Sequence, residues 1–457
     1  MMKKIILKTA ALILVFFLSC YSMGEERIYF GNLHSHTNYS DGTGTPEEAY
    51  RYAYNEGGLD FLAITDHNHQ MAGKMEGEKY SYNIYEGPDG QALIPTANRL
   101  NQELAGKFVA LYGQEFSTIE LGNHVNVFEV PKLITAPNGK FDKLLDWIED
   151  HPDSTNRMAI IQLNHPREYR GALEYGKDDF KGSESEWIES MGKKSYLIEV
   201  LNGPAKTQKH QRYSAKIMES DYFDFLKYGF HIAPTGNQDN HYSTWGTATD
   251  ARTGVIANSL TKEEIMKALR SRHVYATQDK NLKMIFHVND HLCGDRIKPN
   301  MEEGTELVID YSIEDSDEPE ANYNIVVYSG IIGQSPPSIV KTATDNGNTP
   351  QGTKKKISKV KYTGVNQFVL FKLIQEDPGG FEDCAWTAPV WFDAKENIED
   401  EEESETGGES EIVASRNSRL YHVSLECSKV KSIKKENRVY DEEAMKNRSM
   451  HAGCPTK

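Results

Sequence analysis

Six short stretches of the chain carry the side chains that divalent metals prefer. His34-Ser35-His36 is followed by Ser40-Asp41-Gly42, and Thr65-Asp66-His67-Asn68 comes next. Gly113-Gln114-Glu115 precedes His124 by nine residues, and Asn164-His165-Pro166 and Asp239-Asn240-His241 complete the series. Imidazole mixed with carboxylate, and no thiolate, suits reactive zinc, manganese or iron better than a structural zinc. In an extended His-x-His both rings leave the same face, because strand side chains alternate with period two, and this suits two ligands on one ion. A lone histidine beside a strand is more often an ordinary hydrogen-bonding residue. Here six of the ten histidines before residue 250 sit at expected strand ends beside carboxylates or turn residues, which coincidence explains poorly.

Those stretches need elements that bring them to one place. Ile28-Tyr29-Phe30 reads as a short strand leading into the first histidines. Thr45-Pro46-Glu47-Glu48 opens a helix, with Thr45 as N-cap, Pro46 at the first position and Glu48 closing a capping box. Gly57-Gly58 ends it, and Leu59 to Thr65 is the next buried strand. Apolar runs recur at Phe108 to Tyr112, Ala159 to Leu163, Tyr196 to Val200 and Phe230 to Pro234. A helix is expected over Phe141 to Glu149, and another over Thr261 to Arg272 with a capping box from Thr261 and Glu264. Alternating strands and helices predict an α/β fold with a parallel sheet, closed or open. Side chains leaving the C-terminal ends of parallel strands converge on one mouth.

In this order the motifs His34-x-His36, Ser40-Asp41-Gly42, Thr65-Asp66-His67, Gly113-x-Glu115, His165-Pro166 and Asp239-x-His241 resemble those of the polymerase and histidinol phosphatase (PHP) superfamily. The resemblance spans roughly residues 28 to 280. It implies a distorted seven-stranded β/α barrel holding two or three divalent ions (zinc, manganese or iron). It further implies that His34, His36 and Asp239 hold one ion, with Glu115 bridging. Glu115, His124 and His165 would hold a second ion, and Asp41, His67 and His241 a third. Two close divalent ions can share a hydroxide ionised near neutral pH, so no Ser or Cys nucleophile is required. Glu115 and Asp239 are expected to serve catalysis as well as ligation. Arg167, directly after His165-Pro166, would clamp a substrate anion. His69, His210 and Tyr242 are weaker candidates for proton donation. Phosphoester hydrolysis is the superfamily default. Trp245-Gly246 and the run Arg272 to Thr277 are similar to a group that includes an aryl carbamate hydrolase, so carboxylester or carbamate hydrolysis is the alternative. Tyr80, Tyr82 and Tyr85, in an insertion from Glu76 to Pro95, would overhang the mouth and select a small-molecule substrate.

The remaining segments change character. Residues 25–281 are read as the metal-bearing domain and 282–394 as an antiparallel β-sandwich, from runs at Met284 to Val288, Glu306 to Tyr311, Tyr323 to Tyr328 and Gln367 to Leu373. Cys293 and Cys384 fall in the latter, and two buried free thiols are the simpler reading beside a bridge. Residues 395–414 form an acidic linker, with nine carboxylates between Lys395 and Glu411. In residues 415–457, Tyr421-His422, Cys427, Ile433, Asn437, Ala444 and His451-x-x-Cys454 resemble the zinc module of DNA-alkylation-repair proteins. That resemblance implies a zinc on Cys427, Cys454 and His451, with His422 as a further candidate. A Cys427–Cys454 disulfide would staple so small a module equally well and is slightly preferred.

The first 24 residues read as an export signal. Lys3 and Lys4 precede an apolar core, Ala10 to Leu18, too short for a stable membrane anchor. Leu18-Ser19-Cys20 then resembles a bacterial lipoprotein signal, which implies a lipid on Cys20 as the sole membrane contact and a periplasmic or envelope location. A net charge of −17 argues against a nucleic-acid partner, because counterion-release binding needs a basic face. Two other classes remain as alternatives: an inactive metal-containing ligand-binding protein, and a DNA-processing nuclease, against which the signal and the charge both count.

Overall fold

The computed structural model describes residues 26–68, 92–116, 124–137, 140–153, 157–166, 184–319, 321–332, 337–346, 355–376 and 382–394, together with four short strands between 413 and 450. The expected signal segment, the Glu76–Pro95 insertion apart from residues 92–95, Arg167 and the acidic linker lie outside the described residues. The chain divides into two compact units, Met1–Lys395 and Glu396–Lys457.

The first unit is mixed α/β, built on one long sheet. Its opening strands are β1 (Arg27–Asn32), β2 (Phe61–Ile64), β3 (Val109–Phe116), β4 (Val125–Phe128), β5 (Ile160–Leu163), β6 (Ser195–Asn202), β7 (Lys216–Ile217), β8 (Ala233–Gly236), β9 (Arg252–Ala257) and β10 (Val274–Thr277). The helices are α1 (Pro46–Asn55), α2 (Leu93–Glu103), α3 (Phe141–Asp150), α4 (Glu184–Lys194), α5 (Glu219–Lys227) and α6 (Lys262–Ser271). Strand order runs β9-β1-β2-β3-β4-β5-β6-β8. The β1–β2, β2–β3, β5–β6 and β6–β8 pairs are parallel.

Successive residues of the central strands serve two cores. Phe61 and Ala63 of β2, with Val109 and Leu111 of β3, join an apolar cluster that includes Leu33, Leu197, Ala233 and Val255. The alternate residues Leu62, Ile64 and Ala110 pack instead with Ala49, Tyr50 and Ala53 of α1 and Ala97 and Leu100 of α2. A strand covered on both faces has no polar positions to alternate, which is why these segments read as continuous apolar runs. At the other margin, β8 approaches β9 closely. Gly236 N donates to Thr253 Oγ1 at 3.0 Å, and that hydroxyl donates back to Gly236 O at 3.0 Å. A Cβ at position 236 would lie 2.6 Å from Arg252 O, so only glycine allows the approach.

Two expectations need correction. The sheet is not wholly parallel: β4, unrecognised in the sequence, pairs antiparallel with both β3 and β5, and β9 pairs antiparallel with β1 and β10. The capping boxes also differ. Thr45 and Glu48 exchange both bonds, Glu48 N to Thr45 Oγ1 at 3.2 Å and Thr45 N to Glu48 Oε2 at 2.7 Å. Thr261 accepts from Glu264 N at 3.3 Å, but the Glu264 carboxylate takes Asn258 Nδ2 at 3.0 Å and Lys267 Nζ at 3.2 Å instead. A nearby ammonium and amide outcompete the N-cap amide for that carboxylate.

Beyond β10 the elements of the first unit among the described residues are strands: β11 (Lys283–Val288), β12 (His291–Leu292), β13 (Arg296–Ile297), β14 (Glu306–Glu314), β15 (Asn322–Ile331), β16 (Ser338–Asn346), β17 (Lys355–Lys361), β18 (Gln367–Glu376), β19 (Glu382–Thr387) and β20 (Val390–Phe392). β12-β11-β14-β17 form a separate four-stranded sheet. β18 and β19 continue the long sheet, because β19 pairs antiparallel with β10. Cys293 and Cys384 are buried, free thiols. In the second unit, β21 (Val413–Ser415), β22 (Leu420–His422), β23 (Arg438–Tyr440) and β24 (Ser449–Met450) form a sheet of order β23-β21-β22-β24. His422 lies on β22, whereas Cys427, His451 and Cys454 lie outside the described residues.

Candidate metal centre

The residues following β1, β2, β5 and β8, with Glu115 near the end of β3, meet at one end of the sheet. Strand ends are pinned there by backbone bonds, His36 N to Asn240 O at 2.8 Å and Thr65 N to Ser35 O at 2.8 Å. The His34–Thr37 segment is further held by Asp66, which accepts from Thr37 N at 2.8 Å and from the hydroxyls of Thr37 and Ser40, both at 2.5 Å. β4 runs against its neighbours, so its N-terminal end carries His124 to the same place.

Glu115 is the hub. Its Oε1 lies 3.2 Å from His34 Nε2, 2.9 Å from His124 Nδ1 and 3.4 Å from His165 Nε2. Its Oε2 lies 3.2 Å from His36 Nε2 and 3.0 Å from His67 Nδ1. Asp239 Oδ1 stands 3.1 Å from His34 Nε2 and 3.2 Å from His36 Nε2, and those two nitrogens are themselves 3.2 Å apart. Asp41 completes the group, with Oδ2 at 3.2 Å from His241 Nε2 and Oδ1 at 3.6 Å from His67 Nε2. All nine expected ligand positions therefore lie in one contiguous, largely buried cluster.

The donor set fits divalent ions. Ligand atoms bound tetrahedrally at about 2.0–2.2 Å stand roughly 3.3 Å apart, close to the spacings around Glu115 and Asp239. The outer nitrogens of His34 and His241 are already engaged. Glu199 Oε1 accepts from His34 Nδ1 at 2.9 Å, and Asp239 O accepts from His241 Nδ1 at 2.8 Å, which turns the Nε2 lone pairs inward. Asp41 Oδ1 is buried without a hydrogen-bond partner among the described residues. His165 and Asp239 take left-handed backbone, at φ 29° and 52°. Such strain persists where the surroundings enforce it, here by His165 N donating to Glu199 Oε2 at 2.7 Å.

With no ion present, protons would balance the cluster. Burial alone would lower the pKa of His34, but Asp239, Glu115 and Glu199 outweigh it and raise it well above the ordinary range. Burial likewise opposes protonation of His36, yet hydrogen bonds to Asp239 and Glu115 raise it to about 10. Burial would raise Glu115 and Asp239, but the facing imidazoles, His34 foremost, hold both below the usual carboxylate range. For His67 burial wins, and its pKa falls well below the ordinary value.

Some candidates stand elsewhere. His210 is half-exposed and pairs with Asp250 at 2.9 Å. Arg167, His69, Tyr80, Tyr82 and Tyr85 lie outside the described residues. Tyr242 directly follows His241 and is partly buried. Sequence reasoning passed over Glu199, whose fully buried carboxylate also accepts from Asn202 Nδ2 at 2.8 Å and Asn237 Nδ2 at 3.0 Å. The signal was present: a carboxylate inside an apolar strand must have partners. Lys206 was also missed. Its side chain is 63% exposed, with Nζ at 3.8 Å from Asp41 Oδ2, at the rim of the centre.

No family model matches the chain, and no curated protein does. Among solved structures, a chain from Bifidobacterium adolescentis described as a candidate metal-dependent phosphoesterase is 13% identical, with a TM-score of 0.27, covering 48% of this chain and 88% of that one. An amidohydrolase from Chromobacterium violaceum, solved with sulfate and no metal, is 14% identical, with a TM-score of 0.26, covering 46% of this chain and 87% of that one. Likeness this slight fixes neither fold nor activity, and the chemistry has to come from the side chains.

Proposed function

We propose that this chain is a metal-dependent hydrolase of the PHP type, acting on phosphoesters. The observation that carries the reading is Glu115, one carboxylate whose two oxygens meet five imidazoles from four separate segments at 2.9–3.4 Å. Hydrogen bonding alone would not require so many rings on one acid, whereas adjoining ions sharing a bridging carboxylate would. His34, His36 and Asp239 would hold one ion with Glu115, and His124 and His165 a second through the same carboxylate. Asp41, His67 and His241 would hold a third. When bound, such ions supply Lewis acidity and a water ionised near neutral pH. In the reaction, water oxygen bonds to phosphorus, the ester P–O bond breaks and the alcohol leaves with a proton.

The protein's own groups prepare that exchange. Asp239, held below the usual carboxylate range, stays ionised at neutral pH and holds the His34 and His36 nitrogens in place. Glu199 orients His34 from behind. Lys206 offers a cation at the rim, which favours an anionic phosphoester over a neutral ester or carbamate. Arg167, two residues after His165, would add a fork-shaped anion clamp.

The accompanying fold reading is a distorted barrel closed where β8 meets β9, followed by a β-sandwich from residue 282 and the small C-terminal module. The export signal, the lipid on Cys20 and the envelope location belong to the same proposal, and fractionation of cells expressing the full chain tests them. Activity is tested on the metal-loaded chain with p-nitrophenyl phosphate esters, p-nitrophenyl acetate and an aryl carbamate, using His36→Ala as control. Phosphate release lost in the variant is expected. Cleavage of the ester or carbamate instead moves the assignment to the carboxyl centre. Stoichiometric metal without turnover on any of them points to a ligand-binding protein.

A further inference from the structure

A second cluster gathers carboxylates with no histidine among them. Asp279, just after β10, Asp315, just after β14, and Glu318 each place one oxygen within 4.8 Å of the others. Asp279 is 5% exposed and Asp315 is 3% exposed. Asp279 Oδ1 accepts from Asn281 N at 2.7 Å and Leu282 N at 3.0 Å. Asp315 Oδ1 accepts from Glu318 N at 3.1 Å and Asn281 Nδ2 at 3.3 Å. Asp315 Oδ2 accepts from Gln375 Nε2 at 2.9 Å and Tyr323 Oη at 3.3 Å.

The cations that face the cluster are shared with other acids. Arg212 reaches Glu318 at 3.5 Å but lies nearer Asp383, at 2.8 Å, and also faces Asp250 at 3.6 Å. Lys280 pairs with Asp317 at the surface. Burial, with Asp315 and Glu318 adding to it, raises the Asp279 carboxyl to about 6. Arg212 thus serves Glu318 only in part, and Lys280 and the buried Arg252 act on Asp279 through space.

An independent feature points to a ligand. Gln375, on β18, is 1% exposed, and its amide is inserted between Asp315 and Glu318, its nitrogen donating to both. Its Oε1 is buried with no hydrogen-bond partner among the described residues, and so is Asn281 Oδ1. An amide exchanges its nitrogen and oxygen by a half-turn of its last torsion. Two amides that show nitrogen to carboxylates, and leave their oxygens orphaned, are set to turn both oxygens toward a cation.

We propose that Asp279, Asn281, Asp315, Glu318 and Gln375 form a calcium site distinct from the histidine centre. Its donors are all oxygen, combining carboxylates and amide carbonyls without nitrogen or sulfur, the set calcium takes in flexible geometry. Magnesium keeps several waters and demands a near-ideal octahedron, which suits a buried cluster of protein oxygens poorly. The ion would tie the turn between β10 and β11 to the end of β14 and to β18, joining the long sheet to the four-stranded one.

The test uses terbium as the calcium probe on the full chain, excited through Tyr323, whose hydroxyl is 3.3 Å from Asp315. Sensitised emission is expected in the wild type and in His36→Ala, displaced by calcium and not by equal magnesium. Glu318→Gln, at a partly exposed position that tolerates change, is expected to weaken terbium binding at least about tenfold. Asp315→Asn should do the same. Thermal melting gives a second reading. Without calcium, Glu318→Gln removes a crowded charge and raises Tm; with about 2 mM calcium the wild type gains about 3 °C and the variant little. Emission that survives both acid substitutions, emission lost in His36→Ala, or a folded wild type whose Tm ignores calcium would each overturn the proposal.

Discussion

The histidine centre and the carboxylate cluster both bury several acids, but they differ in what they can do without an ion. Around Glu115 the acids face imidazoles, and a proton on His34 or His36 can stand where a metal would. Around Asp315 the acids face uncharged amides and an Arg212 shared with Asp383 and Asp250, so protonation of an acid relieves the crowding that remains. The lesson is that burial of charge is tolerable in two ways, by a titratable partner or by a bound one. The first gives a site that survives loss of its metal. The second gives a site whose fold weakens without it.

The largest way to separate the two is His36→Ala. We expect hydrolysis to fall by about 10³-fold or more with the chain still folded, and calcium-dependent melting to be unchanged. If calcium dependence vanished as well, the clusters would be one linked system. Next comes Glu199→Gln, which keeps the shape but removes the charge behind His34. Metal affinity at the histidine centre should drop about 10- to 100-fold, read by competition with a chromophoric chelator.

pH sharpens the contrast in the metal-free chain. A raised folded-state pKa means stability that is complete at low pH and lost as pH rises. For Asp279 the loss falls between about 4 and about 6, and for His36 between about 6.5 and about 10. Asp41, Asp239 and Glu115, whose pKa values are lowered, contribute in the opposite sense and lose stability only in acid. Tm should therefore decline in two steps from pH 4.5 to 10 after chelation (about 4–6 and 6.5–10). Each ion should flatten its own step. The smallest effect is at the helix caps. Thr45→Ala, breaking the complete capping box beside the histidine centre, should cost about 1 kcal/mol, and Thr261→Ala less, both measured by denaturant unfolding with activity retained.

What could be read beforehand follows the range of the interaction. The Thr45 cap and the His34-x-His36 pair are written within a few residues, so local spacing exposes them. The buried strands were legible because both their faces are apolar. β4 was not, since Val125–Phe128 is four residues long and its antiparallel direction depends on partners before and after it. Glu199 was hidden inside the run it interrupts. The calcium cluster draws on positions 279, 281, 315, 318 and 375, and only the pairing of β18 with β19 and of β19 with β10 brings Gln375 toward Asp279. No window of sequence contains that fact.

Five rings leaning on the single side chain of Glu115 also shape how the molecule could change over generations. Shortening that residue by one methylene withdraws its oxygens from all five at once, and altering any one histidine leaves four still fitted to the old acid. Substitutions here would show strong epistasis, each tolerable only in a background already altered elsewhere. A lineage drifting toward new substrates is thus free to remodel the rim around Lys206, while the centre itself stays closed to single steps.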